Sequence, residues 1–343
     1  MRYGLISDIH FGYHAGNRVT EDGINIRELD HYDAAYAAVR ELKKEGVDVI
    51  LDCGDMAEIP APRKRAILNL IDLVRYAGVP YYSVDGNHTS LKSSSDIHIY
   101  DIIASECSNF HGYRGPAYDK TTRVSFVPHS YNNDEIREFI ETSLHRDTEI
   151  LIGHWAADNI PYVGQVAMRD LPEGVRIFLG HYHNYRPSSE HHPTYVGSTE
   201  KTAWDQWDYP TGCGIWDSDT ESYTRIDIPT RDWANIEGDA SDCLEMLTST
   251  DVRDKIARLT VYATPAEYSL VDQVAAKAYA RDSRALHFTM RRKNPLNIEE
   301  AVQQRLGEQE GLVAQWAAYI TDVDLPKNVS RKRIADMGSE ALA

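Results

Sequence analysis

The sequence predicts an α/β fold in which two β-sheets pack face to face and helices cover their outer faces. Two observations predict it. Residues 2–84 alternate short apolar runs with helical patterns, a β-α-β-α-β series that folds as a largely parallel sheet with right-handed crossovers. Residues 123–228 are richer in short strand-like runs, and a second sheet packed on the first accommodates them.

The elements of the first half follow from apolar spacing and from stop residues. Residues 2–7 form a short apolar run that ends in polar residues, as a buried strand does. The helical spacing of Tyr32, Ala35 and Val39 predicts a helix over residues 30–44, and a glycine follows it. The other predicted elements of this half are a strand over 47–52, a helix over 63–75 and a strand over 80–84.

The rest of the chain divides into a strand-rich part, a small β-α-β unit and a helical tail. The strand-rich part contains predicted strands over 123–127, 149–152, 176–179, 194–196, 212–216 and 223–228, with one helix over 133–144. After a boundary near 229–238, the β-α-β unit comprises a strand over 258–263, a helix over 269–280 and a strand over 285–291. Helices are predicted over 298–320 and 331–342. A length of 343 residues suits such a main domain with a smaller one.

The formal net charge of −17 restricts the partners of the protein. An excess of acidic residues argues against a broad basic surface that grips phosphate groups. It does not exclude a nuclease, because bound metal cations reverse the sign of the charge locally.

The sequence carries no signal for export or for a membrane. No apolar stretch approaches the roughly 20 residues that a membrane-spanning helix needs. The start of the chain, MRYGLISDIH, lacks the cationic region and the long apolar run of a signal peptide. The four cysteines are scattered and form no CxxC pair, so we expect reduced thiols. We therefore expect a cytoplasmic protein without membrane contact.

Residues with metal-ligand chemistry follow the predicted strand ends. They occur in five motifs, Asp8-Ile9-His10, Gly54-Asp55, Gly86-Asn87-His88, Gly153-His154 and Gly180-His181-Tyr182-His183. The first four are each weak alone, since such peptides are common in turns. The last is stronger, because two imidazoles two residues apart project to one side of an extended segment. Five such motifs in order predict one site at the carboxyl ends of the strands, where ligands bind in open α/β sheets.

This ordered set resembles the signature of the calcineurin-like metallophosphoesterases, whose β-sandwich flanked by helices agrees with the predicted layers. The resemblance implies a four-layer αββα sandwich and two divalent metal ions. It implies that one ion is held by Asp8, His10, Asp55 and His183, and the other by Asp55, Asn87, His154 and His181, with Asp55 bridging. His88 matches the catalytic histidine that is not a ligand. Imidazole and carboxylate ligands suit manganese, iron or zinc, and the resemblance favours Mn²⁺.

One position departs from the family pattern. The family reads GNHD or GNHE, whereas Thr89 stands here in place of the acid. That acid commonly orients the catalytic imidazole. Another carboxylate could orient His88, and several candidates remain open.

Within the family, the chain resembles the Mre11/SbcD branch of DNA double-strand-end nucleases, especially their phage relatives. The segment over residues 195–200 is similar to a Tyr-x-Gly-Ser stretch of that branch, and the β-α-β unit is similar to its capping domain. The resemblance implies a nuclease domain over 1–232, a capping domain over 238–294 and a tail over 295–343 that binds an ATPase. Packing of the tail on the chain's own core is an equal alternative.

The branch implies a function in DNA repair or recombination. It implies a 3′–5′ exonuclease on double-strand ends and an endonuclease on single strands. The implied partners are DNA ends, an SbcC/Rad50-type coiled-coil ATPase and a second copy of the chain, in the cytoplasm of a bacterial or phage-infected cell.

Two other functions remain open from the sequence. A metallophosphatase or phosphodiesterase acting on small-molecule or protein phosphoesters would fit the acidic charge and Thr89. A non-catalytic scaffold would require a degenerate site, whereas all the motif residues are present. Trp204 and Trp207 could stack on nucleic-acid bases, but core packing is the usual role of tryptophan.

Overall fold

A computed structural model describes residues 1–16, 18–91, 96–158, 160, 164–188 and 193–294. The described chain divides into two compact units. The first contains Met1–Ala234 and Asp254–Ile256, and the second contains Asn235–Arg253 and the described residues from 257 onward. The tail predicted over 295–343 lies outside the described residues.

The described residues form fourteen strands and seven helices. The strands are β1 (Arg2–Ile6), β2 (Val49–Asp52), β3 (Tyr81–Val84), β4 (Phe110–Tyr113), β5 (Ala117–Asp119), β6 (Val124–Val127), β7 (Ile150–Gly153), β8 (Arg176–Leu179), β9 (Thr194–Tyr195), β10 (Gly212–Asp217), β11 (Ser222–Asp227), β12 (Trp233–Asp239), β13 (Ile256–Tyr262) and β14 (His287–Lys293). The helices are α1 (Ile26–Lys44), α2 (Lys64–Ala77), α3 (Ile99–Glu106), α4 (Asn133–Ser143), α5 (Cys243–Ser249), α6 (Pro265–Leu270) and α7 (Gln273–Asp282).

Two sheets make up the first unit. One has six strands in the order β11-β10-β1-β2-β3-β4, in which β1 to β4 are parallel and β10 and β11 are antiparallel to their neighbours. The other has five strands in the order β5-β6-β7-β8-β9, of which only β5 is antiparallel. Each parallel segment brings several strand carboxyl ends to one edge of its sheet.

Apolar side chains place the sheets and helices in four layers. Leu5 and Leu51 of the first sheet cluster with Phe126, Ile152 and Phe178 of the second, so the two sheets pack face to face. A second cluster joins the first sheet to α1, α2 and α3, and a third joins the second sheet to α4. The predicted α/β sandwich with helices on its outer faces is confirmed.

Helix ends in the first unit follow from local chemistry. The Asn25 side chain accepts hydrogen bonds from the backbone N–H groups of Arg27 and Glu28, so α1 begins four residues before the predicted start. Gly78 ends α2 in the left-handed conformation (φ 71°), which glycine adopts without steric cost.

The second unit contains a three-stranded sheet in the order β12-β13-β14. The predicted β-α-β segment is present as β13, α6, α7 and β14, while β12 and α5 were not predicted. A capping box formed by Thr264 and Glu267 fixes the start of α6 directly after β13. No helix among the described residues combines the length and the apolar character that crossing a bilayer requires.

Candidate metal centre

All eight motif residues lie at the carboxyl ends of parallel strands. Asp8 and His10 follow β1, Asp55 follows β2, Asn87 and His88 follow β3, His154 follows β7, and His181 and His183 follow β8. Since β1 to β3 belong to one sheet and β7 and β8 to the other, the site spans the edges of both sheets.

The loops after β1 and β2 are bound to each other. The backbone N–H of Asp8 donates to the carbonyl of Gly54 at 3.0 Å, and that of His10 donates to the carbonyl of Asp55 at 3.0 Å. Asp8, His10, Asp55 and His181 all have positive φ angles, of 51°, 47°, 54° and 74°. Residues other than glycine rarely adopt this conformation because it costs free energy, and those that do are often found at functional sites.

Two of the motif glycines are required because other site residues approach them closely. A Cβ atom at Gly54 would overlap the imidazole of His154, and Gly54 also has a φ of 104°. A Cβ atom at Gly86 would overlap the carboxylate of Asp55. The glycines therefore let side chains from neighbouring strands converge.

The first group of converging side chains contains Asp8, His10 and His183. The Nε2 atoms of His10 and His183 face each other at 3.2 Å. Oδ1 of Asp8 lies 3.5 Å from Nε2 of His183 and 4.0 Å from Nε2 of His10. Asp8 and His10 are almost fully buried.

The outer nitrogens of these two imidazoles face oxygen atoms. Nδ1 of His10 lies 2.8 Å from Oε2 of Glu58, and Nδ1 of His183 lies 3.1 Å from Oγ1 of Thr202. With a proton on each Nδ1, both Nε2 lone pairs point into the same gap beside a carboxylate. The buried carboxylate of Asp8 needs a compensating positive charge in this gap. Burial lowers the pKa of His10, but Glu58 and Asp55 outweigh burial and raise it above its usual value.

The second group contains Asp55, Asn87, His154 and His181. Nε2 of His154 lies 3.0 Å from Oδ2 of Asp55 and 3.1 Å from Oδ1 of Asn87. Nδ1 of His181 lies 2.9 Å from the same Asn87 oxygen. Nδ1 of His154 donates to the carbonyl of Cys53 at 2.7 Å, which leaves Nε2 as the nitrogen that faces the group.

The charges of this second group favour a cation. Burial alone would lower the pKa of His154, but the Asp55 carboxylate outweighs burial and raises it to about 9. The same contact holds the pKa of Asp55 well below its usual range, although burial opposes this. Burial and the neighbouring His154 lower the pKa of His181 to about 3, so its ring is neutral.

The donor set fits divalent metal ions. Three overlapping groups offer ligand atoms within 4.8 Å of one another, namely Asp8, His10 and His183, then His10, Asp55 and His88, and finally Asp8, Asp55 and His154. Buried carboxylates require compensating positive charge, and imidazole with carboxylate is a ligand set for transition metals. The described residues thus include three overlapping groups able to bind metal, which share Asp8, His10 and Asp55.

His88 is partly accessible, with 37% of its side chain exposed. Its backbone N–H donates to Oδ1 of Asp55 at 2.9 Å, which places the ring beside the metal groups. Its Nδ1 donates to the carbonyl oxygen of Glu58 at 2.9 Å and lies 3.8 Å from the Glu58 carboxylate. Glu58 therefore orients His88. Thr89 is buried and donates to Asp85 instead.

The motifs did not indicate several residues that support the site. Glu58 contacts two motif histidines from the loop after β2. Thr202 and Gln206 both lie 3.1 Å from Nδ1 of His183, and their only sequence signal is a pair of polar residues in a segment that also contains tryptophans. Trp204 lies in the same segment, where its ring packs edge to face against Trp233 at 4.7 Å.

His129 also lies at the site, at the end of β6. Burial and the neighbouring His154 lower its pKa to about 4. Its ring centroid lies 5.6 Å from that of His181. No spacing motif contains His129, so the sequence held no signal for it.

Comparison with known proteins places this site in a family. The calcineurin-like phosphoesterase family matches residues 1–185, more than half of the chain and the whole set of motif residues. The chain belongs to this family. Its members are phosphoesterases, which are hydrolases, and they use a dinuclear metal centre.

Two curated relatives are archaeal proteins named DNA double-strand break repair protein Mre11. The one from Saccharolobus solfataricus is 28% identical over 189 residues, covering 52% of this chain and 48% of the relative. The one from Sulfurisphaera tokodaii is 28% identical over 194 residues, covering 53% and 48%. The chain spans about half the length of the curated relatives it matches.

Among solved structures, the chain is similar to the protein TT1561 of Thermus thermophilus. The two align with a TM-score of 0.46 and 8% sequence identity, covering 66% of this chain and 99% of that chain.

Proposed function

We propose that this phosphoesterase is a two-metal-dependent DNA nuclease that acts on double-strand ends and on single strands in DNA repair or recombination. The observation that carries the proposal is the convergence of the motif side chains into overlapping groups able to bind metal, in a chain whose curated relatives are named as double-strand break repair proteins. Digestion with 3′–5′ polarity and cytoplasmic action are part of the proposal.

The proposed ligands divide between two ions. One ion would be held by Asp8, His10, Asp55 and His183, and the other by Asp55, Asn87, His154 and His181. When bound, two divalent ions neutralise phosphate charge and lower the pKa of the attacking water. We propose Mn²⁺, since the mixed imidazole and carboxylate ligands suit a transition metal. Such a centre would draw in a phosphodiester although the chain carries a net charge of −17.

His88 would act as the acid for the leaving oxygen. Its Nδ1–H is engaged by the carbonyl of Glu58, so Nε2 is the nitrogen that faces the substrate. A proton held on Nε2 would stabilise the charge that develops on the leaving oxygen and would then transfer to it. The exposure of His88 supports this role, because the acid must reach the substrate.

The proposal extends to the whole protein. Residues 1–232 would form the nuclease domain and 238–294 a capping domain over DNA. Residues 295–343 would bind an SbcC/Rad50-type ATPase, and the protein would act as a homodimer. Each of these roles rests on the likeness to the Mre11/SbcD branch.

The test is digestion of end-labelled duplex DNA with Mn²⁺. We expect the wild type to release terminal nucleotides, and we expect His88→Ala to be about 10²–10⁴-fold slower, the usual contribution of acid–base catalysis. His145→Ala is the matched control, because His145 is an exposed histidine that stacks on Tyr118 outside the site. Hydrolysis of nitrophenyl phosphate esters without DNA digestion would contradict the nuclease and indicate a metallophosphatase.

A further inference from the structure

The loop after β6 forms a wall of the metal centre that no sequence motif contains. The backbone N–H of His129 donates to the carbonyl of Asp85 at 2.9 Å, which joins this loop to the loop after β3. Nδ1 of His129 donates to the carbonyl of His154 at 3.2 Å. The loop is therefore fixed against residues that neighbour two proposed ligands.

Tyr131 lies two residues further along this loop, and its ring is held at two points. Its hydroxyl donates to the backbone carbonyl of Asn87, a proposed metal ligand, at 3.0 Å. Its ring packs edge to face against His129, with 4.9 Å between the ring centroids. The ring of His129 lies in turn against that of His181. The His129 ring thus lies between the ring of Tyr131 and that of His181, another proposed ligand.

The ring of Tyr131 nevertheless remains 75% exposed. A single exposed aromatic residue is ordinary on a protein surface. Tyr131 differs from such a residue, because the hydrogen bond to Asn87 and the contact with His129 hold its accessible ring at the rim of the centre. Such a ring is fixed before any ligand arrives, which reduces the entropy lost on binding.

We infer that Tyr131 is a stacking platform for the base of a nucleotide beside the scissile phosphate. This inference rests on the proposed nuclease function and deepens it, since it assigns a substrate-binding contact to an unpaired, single-stranded nucleotide. Aromatic stacking tolerates any base, because every base has a π face. The contact also suits a chain of net charge −17, since it requires no basic surface.

The test compares two substrates that differ only in their bases. One is a short single-stranded oligonucleotide, and the other is an oligomer of the same length built from abasic deoxyribose phosphate units. With Mn²⁺, we expect Tyr131→Ala to raise KM for the base-bearing strand about tenfold. KM for the abasic strand and kcat for both strands should stay as in the wild type.

Further variants separate stacking from structural support. Tyr131→Phe and Tyr131→Trp keep an aromatic face and should behave as the wild type, whereas Tyr131→Leu should resemble Tyr131→Ala. The control is Tyr76→Ala, which removes another exposed tyrosine, 39% accessible, from α2. Because Tyr131→Phe loses only the hydroxyl, its KM measures the effect of the hydrogen bond to Asn87 separately from that of the ring.

Three outcomes would overturn the inference. An equal loss on both strands would show that Tyr131 only supports the Asn87 loop, and an unchanged KM would show that it does not contact a base. In both cases the nuclease function would stand. A wild type that hydrolyses bis(4-nitrophenyl) phosphate but cleaves neither strand would overturn the nuclease function, and the stacking contact with it.

Discussion

Thr202 and Gln206 hold the ring of His183 so that one nitrogen faces the metal groups. The backbone N–H of Thr202 donates to Oε1 of Gln206 at 2.8 Å, which orients that amide. Nε2 of Gln206 then lies 3.2 Å from Oγ1 of Thr202. Oγ1 of Thr202 and Nε2 of Gln206 both lie 3.1 Å from Nδ1 of His183, and these contacts turn Nε2 of the ring towards the site.

Thr202→Val removes this acceptor while keeping the shape of the side chain. We expect it to weaken Mn²⁺ binding about 10–100-fold, the usual effect of losing an outer partner of a metal-bound histidine. Titration calorimetry with Mn²⁺ would measure the change. Thr199→Val is the matched control, since Thr199 is buried and its Oγ1 has no hydrogen-bond partner among the described residues. Equal affinity in both variants would contradict the role of Thr202.

The backbone carbonyl of Glu58 contacts Nδ1 of His88, whereas the Glu58 carboxylate lies beside His10. Glu58→Gln keeps the backbone carbonyl that orients His88 but removes the carboxylate beside His10. We expect hydrolysis of bis(4-nitrophenyl) phosphate to fall about 10–100-fold. Asp72→Asn, which removes an exposed carboxylate on α2, should leave the rate unchanged. A wild-type rate in Glu58→Gln would contradict a role for the carboxylate beside His10.

The side chains that converge at the strand ends could be predicted from the sequence, but those that hold them in place could not. Asp8, His10 and His183 lie within short motifs, so their residue types and spacing carry the signal. Glu58 and Thr202 act through contacts with residues on other strands. Their partners are set by the sheet order, which brings β2 beside β1 and which no local spacing encodes.

Among the helices, α1 depends on the residue that caps its start, Asn25, more than α2 depends on Arg63. The Asn25 side chain accepts from the N–H groups of Arg27 and Glu28 at 3.0 Å and 3.3 Å, and it donates to the carbonyls of Ala15 and Gly16. It therefore joins the start of α1 to the preceding loop.

Asn25→Ala should lower the free energy of unfolding by about 1–2 kcal/mol, because the first turn of α1 loses its side-chain cap. Urea unfolding followed by circular dichroism would measure the change. Arg63→Ala is the control, since Arg63 precedes α2 without a side-chain cap and should change stability by less than about 0.5 kcal/mol. Equal effects of the two substitutions would contradict the capping role.

Strands that bury a continuous apolar run were predicted accurately. Strands β7 and β8 lie inside their sheet and are almost fully buried, and both were predicted within a residue or so of their ends. Strands β4 and β5 lie at sheet edges and leave much of their surface accessible, so they lack the apolar run that marks a strand. Helix α3 was missed because it has only eight residues.

At the scale of the whole molecule, the negative charge of the chain makes binding of a phosphodiester depend on bound metal ions. The chain carries a net charge of −17, and its site buries two carboxylates. Without bound cations this charge would repel a phosphodiester. Two divalent ions would add four positive charges where the strand ends of both sheets meet. Metal binding is therefore the step on which every proposed activity of this chain depends.

The decisive measurement is the number of Mn²⁺ ions bound per chain, by titration calorimetry of the metal-free protein. We expect two ions for the wild type, one each for His183→Ala and Asn87→Ala, and loss of both strong sites for Asp55→Ala, because Asp55 would bridge the ions. A single ion in the wild type, or two strong sites remaining in Asp55→Ala, would contradict the two-metal centre proposed for this phosphoesterase.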